Sequence, residues 1–165
     1  MKILAIDPGY DRCGIALVER VNGRESVLYS ECLVTRRGDS FSARLLSIGD
    51  EVRRLIEVYK PEAGALEQIY FNTNQKTAMG VAEVRGMLIY LIASARLPLY
   101  EFTPAQVKQG VTGSGRSDKM QVTAMVRQLV KLPPGKRHDD EYDAIALGLT
   151  CLASIRYEKK PVPQG

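Results

Sequence analysis

At 165 residues, 45% hydrophobic and 25% charged, the chain suits one domain with a buried core and has an ordinary composition for a soluble globule. A formal net charge of +4 permits a nucleic-acid partner without requiring one. No apolar run is long enough to span a membrane, and the first residues enter a strand with no signal-peptide pattern, so a cytoplasmic protein is expected. The three cysteines, Cys13, Cys32 and Cys151, lie far apart with no CxxC spacing, which points to buried thiols in a reducing compartment.

Lys2 to Ile6 is an almost wholly apolar strand, covered on both faces, that ends on Asp7 and is stopped by Pro8-Gly9. A second apolar stretch, Ile15 to Val18, follows Gly14, with Gly9 and Gly14 read as a tight turn and a close approach. Asn22-Gly23 marks a turn, and Ser26 to Val34 is a third strand, so the opening is an antiparallel meander. After a loop at 36–40, in which Ser40 is a helix cap, apolar residues from Phe41 to Tyr59 recur at helical spacing. A fourth strand covers 63–70 and carries Glu67 in an otherwise apolar run. A helix over 74–95 has Ala78, Ala82 and Gly86 on one stripe beside Met79, Leu88 and Ile89, which suits either packing on the sheet or a partner. The fifth strand is 97–102, and Thr103-Pro104 opens a short helix. A glycine-rich basic loop, 111–117, precedes a helix at 118–131, and a last helix runs from about Asp139 to Tyr157. One domain over 1–157 accounts for all of this, and the tail 158–165, with Pro161 and Pro163, is expected to be disordered.

The chemistry lies in four acids. Asp7 reads as a turn residue or, at the carboxyl end of a sheet strand, as a ligand-binding carboxylate. Glu67 reads as an edge-strand surface residue or as a second member of the same site, since burying an unpaired carboxylate is costly. Asp139 and Glu141 suit simple capping of the last helix. Asp140 and Asp143, three apart, share one side of it, and the small residues that follow let it lie close to a sheet. Asp7, Glu67, Asp140 and Asp143 together would hold several like charges, a cluster that persists only with bound cations or with some members protonated. Hard oxygen ligands select magnesium, with manganese as a substitute, and two such ions can drive phosphodiester hydrolysis. His138 is read as a solvated linker residue, with assistance to a metal or phosphate as the alternative. Lys108, Arg116 and Lys119 could meet phosphates beside a glycine-lined backbone, against the alternative of a solvated loop with incidental charge. The loop lacks GxxxxGK[ST] and is no nucleotide P-loop.

Ile-Asp-Pro-Gly at 6–9, Leu-Glu-Gln at 66–68, Gln-Val-Lys-Gln at 106–109, Gly-Ser-Gly-Arg-Ser-Asp-Lys at 113–119 and Asp-Glu-Tyr-Asp-Ala at 140–144, in that order, resemble the RuvC family of Holliday junction resolvases. That resemblance runs through roughly residue 156. It implies a ribonuclease H-like α/β fold, a five-stranded mixed sheet of a three-strand antiparallel meander plus two parallel strands, flanked by helices. It implies two divalent ions on Asp7, Glu67, Asp140 and Asp143, with histidine standing for Asp140 in some relatives. It places DNA-binding basic residues on Lys108 and Lys119 and a functional aromatic on Tyr70, where phenylalanine is familiar. It further implies four-way junction DNA as substrate, cleavage serving recombination and repair, a homodimer meeting through helix 74–95, and the RuvA–RuvB branch-migration complex as a partner. Three other readings compete. An RNA nuclease of the same superfamily, as YqgF-like proteins are thought to be, shares the acids. An actin- or Hsp70-like ATPase needs a second lobe, for which 165 residues leave no room. A non-catalytic junction binder would not need all four carboxylates.

Overall fold

The computed structural model of the chain describes residues 1–68, 75–132 and 135–158, without the side chains of 75–77 and 156–158. The elements in chain order are β1 (Lys2–Asp7), β2 (Arg12–Val21), β3 (Arg24–Val34), α1 (Phe41–Tyr59), β4 (Ala63–Glu67), α2 (Gln75–Ser94), β5 (Leu99–Phe102), α3 (Pro104–Thr112), α4 (Lys119–Leu129) and α5 (Asp139–Glu158). The sheet has the order β3-β2-β1-β4-β5. β1, β2 and β3 are antiparallel neighbours, while β4 runs parallel to β1 and β5 parallel to β4. The mixed sheet expected from the sequence is therefore present.

β1 is the middle strand, and Ile3, Leu4, Ala5 and Ile6 are each 0% exposed, so both its faces are covered. Side chains alternate across a strand. Ile3 and Ala5, with Ala16 and Val18 of β2, pack against Ala144, Ile145 and Leu147 of α5. Leu4, Ile6, Ile15 and Leu17 face Ile48, Val52 and Leu55 of α1 and Val84, Leu88 and Ile92 of α2. The run of small residues in α5 serves this packing: a Cβ on Gly148 would lie 2.6 Å from Cγ2 of Val18.

Local chemistry sets the boundaries. Asn22 and Gly23 both take positive φ, as a two-residue hairpin requires. The Ser40 hydroxyl accepts from Ala43 N at the start of α1, and Lys60 closes that helix in the left-handed region. Thr103 and Gln106 form a capping box with Pro104 in the first turn of α3. Asp118 and Gln121 do the same for α4, which begins at Lys119 and ends at Leu129, shorter than its expected span. β5 begins at Leu99 rather than Leu97, because Arg96 turns left-handed and Leu97 N still bonds to Ile92 O at the end of α2. β4 ends at Glu67, short of the expected span 63–70, of which 69–70 lie outside the described residues; Glu158, expected in the tail, ends α5, and 159–165 lie outside the described residues.

Candidate nuclease site

The strand ends bring the first two acids together. Asp7 is the last residue of β1, paired with Gly14 across the antiparallel ladder. Ile6 pairs with Leu66 in the parallel ladder, so Glu67 lies at the same edge, one strand over. Ile6 and Leu66 belong to the core under α1 and α2, so the next residue on each strand, Asp7 and Glu67, rises on the α5 face. Gly14 admits α5 there: a Cβ at this position would sit 2.0 Å from the Asp140 carbonyl oxygen. That contact seats the start of α5, with Asp140 in its first turn and Asp143 just beyond, over the carboxyl end of β1.

The charges respond to one another. Burial, then the charges of Glu67, Asp143 and Asp140, push Asp7 up to about 8 against the pull of Lys119. Burial and then Asp143 raise Glu67 to about 7, with Lys108 and Lys119 opposing. Asp143 is raised as well, by burial first, with Lys119 again opposing. The four predicted acids therefore form one electrostatic unit. Among the described residues, no three His, Cys, Asp or Glu side chains converge closely enough to grip one ion as they stand. Two of the acids are instead turned to cations: Asp143 Oδ2 lies 3.6 Å from Lys119 Nζ, and Asp140 Oδ2 lies 3.4 Å from Arg12 Nε.

The basic residues sit on well-anchored helices. α3 follows β5 immediately, and Phe102 pairs with Glu67, which brings half-buried Lys108 to that side of the acids. α4 carries Lys119 at its first position and is tied to α5 by Arg127, whose Nε and Nη2 donate to the Tyr142 hydroxyl at 3.0 and 2.8 Å. Arg116 is exposed and, with Thr112, Ser114, Ser117, Gln121 and Met125, lines a surface depression beside α4. His138 is exposed, as a linker residue should be. Tyr70, the predicted aromatic contact, lies outside the described residues.

Some members of this region are not evident from local sequence. Arg12 faces Asp140 because it lies two residues before Gly14 on the same strand face. Cys32, opposite Gly14 on β3, donates its thiol to Asp140 Oδ2 at 3.7 Å; burial, then the Asp140 charge, push that thiol up to about 11. Glu141 is no simple capping residue. It is buried, accepts from Ser30 Oγ at 2.7 Å and pairs with Arg137 at 2.9 Å, fixing the start of α5 to β3.

A five-stranded sheet in this order, with carboxylates at the carboxyl ends of β1 and β4 and on the helix crossing them, defines a ribonuclease H-like nuclease. The family model described as crossover junction endodeoxyribonuclease RuvC matches residues 3–151. The crossover junction endodeoxyribonuclease RuvC of Petrotoga mobilis is 40% identical over 156 residues, covering 94% of this chain and 95% of the relative. That of Thermosipho melanesiensis is 42% identical over 153 residues, covering 93% and 97%. The structure of T. thermophilus RuvC in complex with a Holliday junction substrate superposes with a TM-score of 0.89 at 29% identity, covering 98% of this chain and 99% of that one. The chain belongs to the RuvC family.

Proposed function

We propose that the chain is a structure-selective endonuclease that resolves four-way DNA junctions by paired, metal-dependent phosphodiester hydrolysis during recombination and repair. The observation that carries this reading is the electrostatic unit at the strand ends, in which Asp7 and Glu67 are held near neutral pH by burial and by the other acids. Such a donor set, all oxygen and short of compensating charge, fits hard divalent cations. Asp7, Glu67, Asp140 and Asp143 would hold them, and magnesium or manganese bound there supplies an activated water and neutralises the leaving oxygen. The protein's own part is placement. Backbone contact at Gly14 sets α5 over β1, the Arg127–Tyr142 pair sets α4 against α5, and Lys119 then stands beside Asp143. Junction binding draws Lys119 and Lys108 toward phosphate oxygens and leaves the carboxylates to the ions.

Incubation with a synthetic four-way junction and with linear duplex, each in magnesium, manganese or chelator, tests this. Symmetric nicks on the junction alone, dependent on metal, are expected. Equal cutting of linear duplex, or cutting in chelator, would overturn the reading, and preference for an RNA substrate would favour the RNA nuclease alternative. Lys119→Ala and Lys108→Ala are each expected to flatten the salt dependence of junction affinity by a slope of about one. Unchanged slopes in both would make them ordinary surface lysines.

Two junction strands must be cut symmetrically, which a two-fold dimer with two sites does economically. α2 is the proposed contact. Its inner face, with Val84, Leu88 and Ile92, belongs to the sheet core, so Leu88 is not available to a partner as the sequence suggested. Its outer face shows Met79 and Tyr90, each 68% exposed, around Gly86, which has open space where a side chain would go. Gly86→Arg should therefore leave the melting temperature of the fold intact yet give a monomer in light scattering that nicks poorly. A dimeric Gly86→Arg protein would move the interface elsewhere. The RuvA–RuvB complex is the proposed branch-migration partner, and the cytoplasm the proposed compartment. No described helix is long and apolar enough to cross a membrane.

A further inference from the structure

A second group of basic residues lies across the acids from Lys108, Arg116 and Lys119. Arg12 opens β2 at the edge where β1 ends, and its ladder partner is Val34, the last residue of β3. Arg36 and Arg37 follow after Thr35 and are exposed, as is Arg12. The ground beneath them is unusually firm for a loop. Thr35 N donates to Asp11 O at 3.1 Å, tying the segment after β3 to the turn after β1. Arg44 of α1, 8% exposed, then locks both: Nε donates to Thr35 Oγ1 at 2.8 Å, Nη2 donates to Tyr10 O at 3.0 Å, and the same nitrogen pairs with the Asp11 carboxylate. The guanidinium also lies 4.8 Å from the Tyr10 ring centroid. Arg44 is thus satisfied inside and neutralises Asp11, so the outward charge of this end comes from Arg12, Arg36 and Arg37. The facing acids are Asp140, already paired with Arg12, and exposed Asp39 in the same loop.

We infer that Arg12, Arg36 and Arg37 form a second phosphate-binding flank, which grips the DNA backbone on the side of the scissile position opposite Lys108 and Lys119. The inference rests on the junction-nuclease reading above. A strand crossing the four acids must be held against their negative charge, and cations on one side alone would let it swing away from them. Arginines beside a locked backbone suit phosphate, because the guanidinium fork matches its oxygens and the chain that carries them is already tied at Thr35 and Asp11 before DNA arrives. Arg12 has a further consequence. Its 3.4 Å pair with Asp140 is solvent-facing, with 55% of the arginine side chain exposed, and so is weak enough to exchange for a phosphate. That exchange frees Asp140 for an ion at the step when DNA is seated.

The test is the salt dependence of junction affinity in chelator, with the full-length protein and a labelled four-way junction. It compares the unmodified chain, Lys119→Ala, Arg12→Ala, Arg12→Lys and the double variant Arg36→Ala/Arg37→Ala. Arg12→Ala should flatten the slope by about one and the double variant by about two, at unchanged melting temperature, with Arg12→Lys retaining the slope. A slope changed by Lys119→Ala but by neither Arg12→Ala nor the double variant would overturn the second flank and leave the nuclease reading standing. An unmodified chain that binds the junction with no salt dependence would sink both.

Discussion

Asp7→Asn should lower junction cleavage by a factor on the order of 10²–10⁴, because the ion contacts proposed for Asp7 would be worth several kcal/mol in the transition state. Junction affinity in chelator should persist or rise, since a negative charge near phosphates has gone. The same substitution should stabilise the metal-free fold. Asp7 ordinarily titrates at 3.8 but is pushed to about 8 here, so between those values the folded chain keeps a proton that the unfolded chain has released. Stability from this group is therefore fully present below pH ~4 and is lost as pH rises through about 8. Above that pH Asp7→Asn escapes the penalty, and a gain of even ~1 kcal/mol would raise the midpoint by roughly 2–4 °C in a chain of this size. Cleavage in magnesium undiminished by the substitution would sink the two-ion assignment. A metal-free midpoint that does not move at pH 9 would mean that Asp7 is not strained by its neighbours.

Metal affinity should climb steeply with pH over the same window. Ions bound at the proposed site would displace protons from Asp7, held near 8, and from Glu67, held near 7. Each displaced proton makes the apparent dissociation constant fall by roughly tenfold per pH unit below the group's pKa. Calorimetric titration with manganese at pH 6, 7 and 8 should show this rise together with proton release that differs between buffers of different ionisation heat. Glu67→Gln should shallow the dependence near pH 7. An affinity flat from pH 6 to 8 would place the ions away from these two carboxylates.

How far the candidate site was legible in the sequence follows the range of the interactions involved. Asp7 was legible because it ends an apolar strand, Glu67 because it is a charge inside an apolar run, and Asp140 and Asp143 because a three-residue step keeps them on one helix face. Ser40, Thr103 and Pro104 announce helix starts within four residues. Arg12 with Asp140, Ser30 with Glu141, and Arg127 with Tyr142 join distant segments, and no local pattern encodes them. Glu141 misled for that reason: acids in a first helical turn are ordinarily exposed, and only the arrival of β3 buries this one. On α2 the stripe of small residues suited the sheet and a partner alike, and it could not separate Leu88, which the sheet claims, from Met79 and Tyr90, which it leaves outside.

α5 bears acids in its first turn and then runs through the core, where Ala144, Ile145, Ala146 and Leu147 are wholly buried against the sheet. The proposed catalytic acids, mounted on such an element, cannot fray by themselves. Heat should therefore abolish cleavage at the temperature at which the whole chain melts, not below it, and the slowest-exchanging amides should lie in the helix that carries Asp143. A lesion deep in this helix, far from any nucleotide, would then be read in a cell as missing protein, not as a slow enzyme.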